Sequence, residues 1–228
     1  MGAIAVGLRE NVAARLWGST NGKKAVMAVT GVILFGFVIG HMVGNLQVYE
    51  GPDVFNNYAK VLRLFPIALW VVRLTLLASV ALHVTATIQL ALRANKARPV
   101  AYSKKKSIAS TYSSRTMYWS GPIVLAFVIY HLLQFTFGVT GVPDYQEGQA
   151  YQNVVNGFQQ PVISIFYIIA MVLLCLHLRH GVWSALQTFG ISHPRYTPLL
   201  RHLATAFALL VAIGFISVPL SVLIGWVK

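Results

Sequence analysis

The chain has 228 residues, of which 57% are hydrophobic and only 10% are charged. This composition is too apolar and too weakly charged for an ordinary soluble domain, so it predicts a polytopic membrane protein. The formal net charge of +13 would suggest a nucleic-acid partner in a soluble protein. Here the basic residues cluster between long apolar segments, so we expect no nucleic-acid binding.

Five segments are long enough to cross a bilayer as helices, which requires about 20 apolar residues. We predict one all-α membrane domain over residues 1–228, with a cytoplasmic segment at 1–24 and spans at about 25–49, 66–93, 116–139, 161–187 and 201–227. Before the first span, Leu8, Val12 and Leu16 recur at helical spacing. They predict a short helix on the membrane surface, with a disordered tail as the alternative.

The lysines and arginines alternate between the two sides of the predicted bundle. The segments before the first span, between the second and third, and between the fourth and fifth hold Arg9, Arg15, Lys23, Lys24, Arg93, Lys96, Arg98, Lys104, Lys105, Lys106, Arg115, Arg195 and Arg201. The segment 139–160 has none, and 50–65 has only Lys60 and Arg63. The positive-inside rule then places the N-terminus in the cytoplasm and the C-terminus outside.

Two of the outward-running spans carry one interior histidine each at matched depth. The stretch of chain from Lys24 to His41 is almost equal in length to the stretch from Arg115 to His131. With a rise of about 1.5 Å per residue, both imidazoles should lie roughly 25 Å from the cytoplasmic edge of the membrane. The count therefore predicts a histidine pair near the outer face.

The two inward-running spans repeat this pattern. The stretch from Pro66 to His83 is almost equal in length to the stretch from Pro161 to His177. Both histidines should lie roughly 25 Å from the outer edge. In a core about 30 Å thick, this depth means a second pair near the inner face.

Ionisable groups inside a membrane segment mark functional sites by default. For any one histidine, an interhelical hydrogen bond is the ordinary alternative, but four at matched depths favour bis-histidine haem ligation inside a four-helix bundle of the first four spans. We predict two b haems, with His41 and His131 on the outer iron and His83 and His177 on the inner iron. Because both axial positions of each iron would be filled by protein, electron transfer is favoured over oxygen chemistry.

Several nearby residues have supporting parts in this arrangement. His180 is the rival ligand in the fourth span, but the depth of His177 matches His83 and Gly181 leaves room for a ring. Three arginines are candidate contacts for haem propionates, with snorkelling to the interface as the alternative. They are Arg73 for the outer haem, and Arg115 and Arg179 for the inner haem.

The chain resembles the dihaem cytochrome b membrane anchor of succinate dehydrogenases and fumarate reductases, of the single-subunit, five-helix type. The matching motifs are GHMVGN around His41, ALHV around His83, VIYHLLQ around His131 and HLRHGVWSALQTFGI from His177 onward. In the last motif, the family's pattern of ligand histidine, three residues and glycine falls on His177 and Gly181. The resemblance covers nearly the whole chain, and its specificity lies in the order and spacing of the motifs.

The resemblance implies partners and cofactors that lie outside this chain. A flavoprotein with FAD and a protein with iron–sulfur clusters would bind on the cytoplasmic side, with the basic loop from Arg93 to Arg115 as a docking surface. Electrons would pass from succinate through these subunits to the inner haem, the outer haem and a quinone, expected to be menaquinone; fumarate reduction reverses the path. The complex would lie in a bacterial-type cytoplasmic membrane and could form a higher oligomer.

The quinone reaction needs a proton acceptor on the outer side. Some family members carry a carboxylate in the helix before the last ligand, but here the neighbours of Cys175 are apolar. Glu50 and Asp53 are therefore the candidate proton acceptors. The single cysteine leaves no disulfide or thiolate metal site within the chain. Two alternatives stay open: a cytochrome b anchor of a hydrogenase or formate dehydrogenase, and a transporter that uses histidines as proton relays.

Overall fold

The computed structural model describes residues 12–97, 100 and 110–228. Within these residues the chain is helical and contains no strand, so the predicted all-α class is confirmed. Five of the helices are long and apolar enough to span a membrane, which confirms the multi-pass membrane protein. Leu8, Arg9 and the centre of the basic loop, with Arg98 and the three lysines at 104–106, lie outside the described residues.

The helices are numbered in chain order. They are α1 (Val12–Gly18), α2 (Thr20–Leu46), α3 (Pro52–Arg63), α4 (Pro66–Lys96), α5 (Tyr112–His131), α6 (Ala150–Phe158), α7 (Pro161–Thr188) and α8 (Thr197–Leu223). A 3₁₀ turn at Gln47–Glu50 follows α2, and a π-helical turn at Leu132–Thr136 follows α5. The five predicted spans correspond to α2, α4, α5, α7 and α8.

Side-chain caps set the beginnings of two spans. The Ser19 hydroxyl accepts a hydrogen bond of 2.8 Å from the Gly22 amide, and Thr111 accepts one of 3.2 Å from the Ser114 amide. Such caps satisfy amides that have no partner inside the helix. They start α2 and α5 several residues before the predicted positions, because the caps extend both helices beyond their uncharged segments.

Two segments expected to be loops contain short helices, α3 and α6. The Asn56 side-chain oxygen of α3 accepts a hydrogen bond of 2.9 Å from the Tyr151 amide of α6. The Tyr151 hydroxyl donates to the backbone oxygen of Lys228 at 3.0 Å. Together α3, α6 and the C-terminus cover one end of the bundle, which is the outer end of the predicted topology.

The long helices pack in a definite order. The closely packed neighbours are α4 with α2, α2 with α7, and α7 with α5. Helix α8 packs against α7 and α2 from outside this series, where Gly214 of α8 lies against the Met42 side chain of α2. Helices α2 and α5 are therefore diagonal partners across the bundle, and so are α4 and α7.

The larger cluster of buried apolar residues lies at the covered end. Val48, Val155 and Phe158 are buried there together with Tyr167 of α7 and Val222 of α8. A second, smaller cluster lies where α2, α7 and α8 meet, around Met42, Leu178 and Val211. These clusters hold together α2, α5 and α7, which carry three of the four interior histidines, and neither cluster includes a residue of α4.

Candidate functional site

The rings of His41 and His131 meet between the diagonal helices α2 and α5. Their centroids are 5.6 Å apart and their planes are nearly perpendicular, at 80°. Aromatic rings enclose the pair: Phe37 stacks on His41 at 5.2 Å, and Phe127 stacks on His131 at 6.0 Å. Phe215 of α8 lies 6.0 Å from His41, so the fifth span closes one side of this site.

The rings of His83 and His177 meet in the same way between the other diagonal helices, α4 and α7. Their centroids are 6.3 Å apart and their planes are inclined by 50°. Gly31 of α2 lies beside this pair, since a Cβ added there would be 3.5 Å from the His83 ring. The structure thus brings together the two histidine pairs that the sequence predicts, while their role as haem ligands stays a prediction.

The separation of the His83 and His177 rings, 6.3 Å, suits two imidazoles that hold one metal ion between them, whereas the His41 and His131 rings, at 5.6 Å, lie somewhat closer than such a pair. Bonds of about 2 Å from each imidazole nitrogen to a metal place the two nitrogens about 4 Å apart, and the ring centres lie further apart than the nitrogens. Among the described residues, no group of three His, Cys, Asp or Glu side chains could hold a metal ion. Each site is a pair, and two axial ligands are what a haem takes from the protein.

The hydrogen bonds of His83 decide which ring nitrogen carries its proton. Nδ1 lies 3.1 Å from the Met27 carbonyl and 3.3 Å from the Thr30 hydroxyl oxygen. That hydroxyl donates to the Val26 carbonyl at 2.7 Å, so both groups facing Nδ1 are acceptors. The proton must therefore be on Nδ1, which leaves the lone pair of Nε2 free for a metal.

The other histidines differ in their support. Nδ1 of His131 lies 3.2 Å from the Tyr167 hydroxyl. Nδ1 of His177 is buried and has no hydrogen-bond partner, and no hydrogen bond to the His41 ring is present in the described part of the chain. Each pair therefore combines one anchored imidazole with one whose orientation is set by packing alone.

The backbones of α2 and α7 are uncovered at three glycines. A Cβ added at Gly36, Gly40 or Gly181 would meet no atom within 4 Å. Gly181 is four residues after His177, where the sequence predicts room for a ring. A flat cofactor could therefore approach the backbone of α2 and α7 closely.

His180, the rival ligand, does not face His83 in the structure. It lies on the same helix as His177 but three residues further on, and the ring opposite His83 is that of His177. Of the remaining histidines, His193 stacks on Tyr196 at 5.4 Å and His202 is exposed at the start of α8.

The structure does not bring the three candidate arginines to the histidine pairs. Arg73 is exposed on α4 and lies 5.3 Å from the Trp70 ring. Arg115 donates to the Ser110 carbonyl at 3.3 Å. Arg179 donates to the Thr205 hydroxyl of α8 at 3.1 Å, because two residues after His177 place it on roughly the opposite side of α7. Their contacts with haem propionates stay predictions.

The two candidate proton acceptors lie at the covered end. Glu50 ends the 3₁₀ turn after α2, and Asp53 lies in the first turn of α3; both are exposed. Neither lines the open cavity of about 420 Å³ between residues 138–143 and the start of α7. The structure therefore assigns no quinone-binding residue among them.

Sequence reasoning missed the groups that hold the anchored histidines. Gln134 is fully buried, three residues after His131 in the same motif, and Tyr167 is buried in α7. Thr30 is a buried polar residue in the apolar α2. A buried polar side chain needs a partner, so polar residues inside apolar spans were the signal that could have identified them.

No protein-family model, no curated protein and no solved structure matches this chain.

Proposed function

We propose that this chain is the dihaem cytochrome b membrane anchor of a succinate:quinone oxidoreductase, a succinate dehydrogenase or fumarate reductase. The observation that carries the proposal is the pairing of four histidines from four helices into two pairs across the bundle diagonals. Each helix contributes one imidazole, and neither pair belongs to helices that pack closely as neighbours. Hydrogen bonds from single histidines to adjacent helices would not require the histidine rings to face each other in pairs across the bundle diagonals.

The residues of the chain have distinct parts in this function. His41 and His131 would hold the outer haem, and His83 and His177 the inner haem. When bound, the haems would carry single electrons across the membrane. Protein nitrogens on both sides of each iron would exclude oxygen and water, and the proton on Nδ1 of His83 would keep its Nε2 lone pair directed to the metal.

The chain would not itself act on succinate. The flavoprotein and the iron–sulfur protein would bind at the basic, cytoplasmic end of the bundle. Quinone would react near the outer pair, at the end covered by α3 and α6, where Glu50 and Asp53 could accept or release protons. The resemblance in the four histidine motifs supports the choice of this enzyme over other quinone-linked dehydrogenases.

A spectrum tests the class of protein. The purified protein should give the reduced-minus-oxidised bands of a b-type cytochrome. A pyridine haemochrome assay on the same sample should give two haems per chain. Absence of a b-type band would refute the proposal and favour a transporter with histidine proton relays. One haem per chain would refute the two-site layout.

Co-purifying subunits test the choice among enzymes. Affinity purification from the native membrane should recover a covalent flavoprotein and an iron–sulfur protein with succinate-oxidising or fumarate-reducing activity. Recovery of a hydrogenase or formate dehydrogenase instead would keep the haem sites and replace the enzyme.

A further inference from the structure

We infer that Tyr167 and Gln134 are positioning residues that fix His131 as an Nε2 ligand of the outer haem. This inference rests on the proposed function. It follows from a chain of three hydrogen bonds whose donors and acceptors can be assigned one after another, starting from a backbone carbonyl.

The chain of hydrogen bonds begins in the loop after α5. The Gly141 carbonyl can only accept, and the Gln134 amide nitrogen donates to it at 3.1 Å. This bond fixes the orientation of the Gln134 amide. Its carbonyl oxygen then faces Tyr167, whose hydroxyl donates to it at 2.7 Å.

The orientation of the Tyr167 hydroxyl determines the donor and the acceptor in its hydrogen bond with His131. Because the Tyr167 proton is directed to Gln134, the phenol oxygen can only accept from His131, whose Nδ1 lies at 3.2 Å. Nδ1 of His131 must therefore carry the proton, and its Nε2 lone pair is free. Tyr167 thus gives His131 the same tautomer that a backbone carbonyl and a hydroxyl acceptor give His83.

Burial and packing hold this chain of hydrogen bonds in place. Gln134 is 0% exposed and Tyr167 is 6% exposed, so their hydrogen bonds are shielded from bulk water. The π-helical turn at Leu132–Thr136 carries Gln134, and such turns often occur at functional sites. The rings of Phe127 and Phe158 lie 4.9 Å from the Tyr167 ring and restrict its movement.

The consequence is a specific effect on the outer haem. An acceptor on the second ring nitrogen makes a ligating imidazole more basic and holds its orientation, and loss of such a partner typically costs 10- to 100-fold in metal affinity or activity. A more basic ligand stabilises ferric over ferrous iron. Tyr167→Phe should therefore raise the midpoint potential of the outer haem, by about 59 mV for a tenfold change in the ferric-to-ferrous preference.

The test is a redox titration with low-temperature electron paramagnetic resonance on the intact complex. Tyr167→Phe should shift the potential and the low-spin ferric signal of one haem, or release that haem alone, and leave the other unchanged. Tyr130→Phe is the matched control. It removes a phenol hydroxyl whose ring is 6.3 Å from Tyr167 and which makes no hydrogen bond to His131 in the described residues.

The outcomes separate this inference from the proposed function. A wild-type protein without haem refutes the proposed function. Two haems with unchanged signals in Tyr167→Phe refute the positioning role alone. If Tyr167→Phe does not assemble, Gln134→Met decides: a shifted outer signal supports the inference, whereas an unchanged signal, or failure of this variant too while Tyr130→Phe assembles, shows a merely structural role and overturns it.

Discussion

Replacing His177 with alanine tests the inner site most directly. His83 would keep its anchor on Met27 and lose the imidazole whose ring centre lies 6.3 Å away. His180 could not take over, because three residues along a helix amount to about 4.5 Å of rise and a rotation about 60° short of a full turn. We expect the haem content to fall from two to one per chain.

His180→Ala is the matched control on the same helix, and it should retain two haems. The pyridine haemochrome assay gives the haem content, and a redox titration shows which of the two components is lost. Co-elution with the partner subunits in size-exclusion chromatography checks that both variants assemble. Two haems in His177→Ala together with one in His180→Ala would refute the ligand assignment and the depth count behind it.

Three further perturbations test the surroundings of the histidines and the topology. Thr30→Val should retain both haems and move the inner potential only slightly in a redox titration, because the backbone carbonyl acceptor remains; loss of the inner haem would contradict this. Gly44→Ala should lower the free energy of unfolding in detergent, measured by thermal denaturation, by about 1–3 kcal/mol, since the added Cβ would collide with the Tyr58 ring. Gly121→Ala in α5, with open space at its Cβ, should not, and equal losses in both would refute the packing argument. Glu147→Cys, in a chain whose native cysteine is replaced by serine, should react with an impermeant thiol reagent added outside; labelling only from the cytoplasm would invert the topology.

Much of the architecture follows from local properties of the sequence. Apolar length defines the five spans, and the constant rise of a helix converts residue counts into depth. Hence the partners of His41 and His83 could be predicted without any tertiary information. The capped starts of α2 and α5 are also local, since Ser19 and Thr111 lie directly before these helices.

The helices α3 and α6 could not be identified by the same reasoning. They are too short and too polar to appear as spans, and they are held by contacts between distant segments, such as Asn56 with the Tyr151 amide. Packing against the ends of the long helices determines their structure, because isolated helices of this length are marginal in water.

The sequence by itself determined which residues lie at the same level of the membrane, since depth depends only on position along a helix. Only the tertiary structure decided which side chains face each other at that level. Helix order placed the histidine pairs on the diagonals, turned Arg179 toward α8 and brought Tyr167 and Gln134 to His131. Those relations depend on rotation and packing between helices, which no count along a single helix contains.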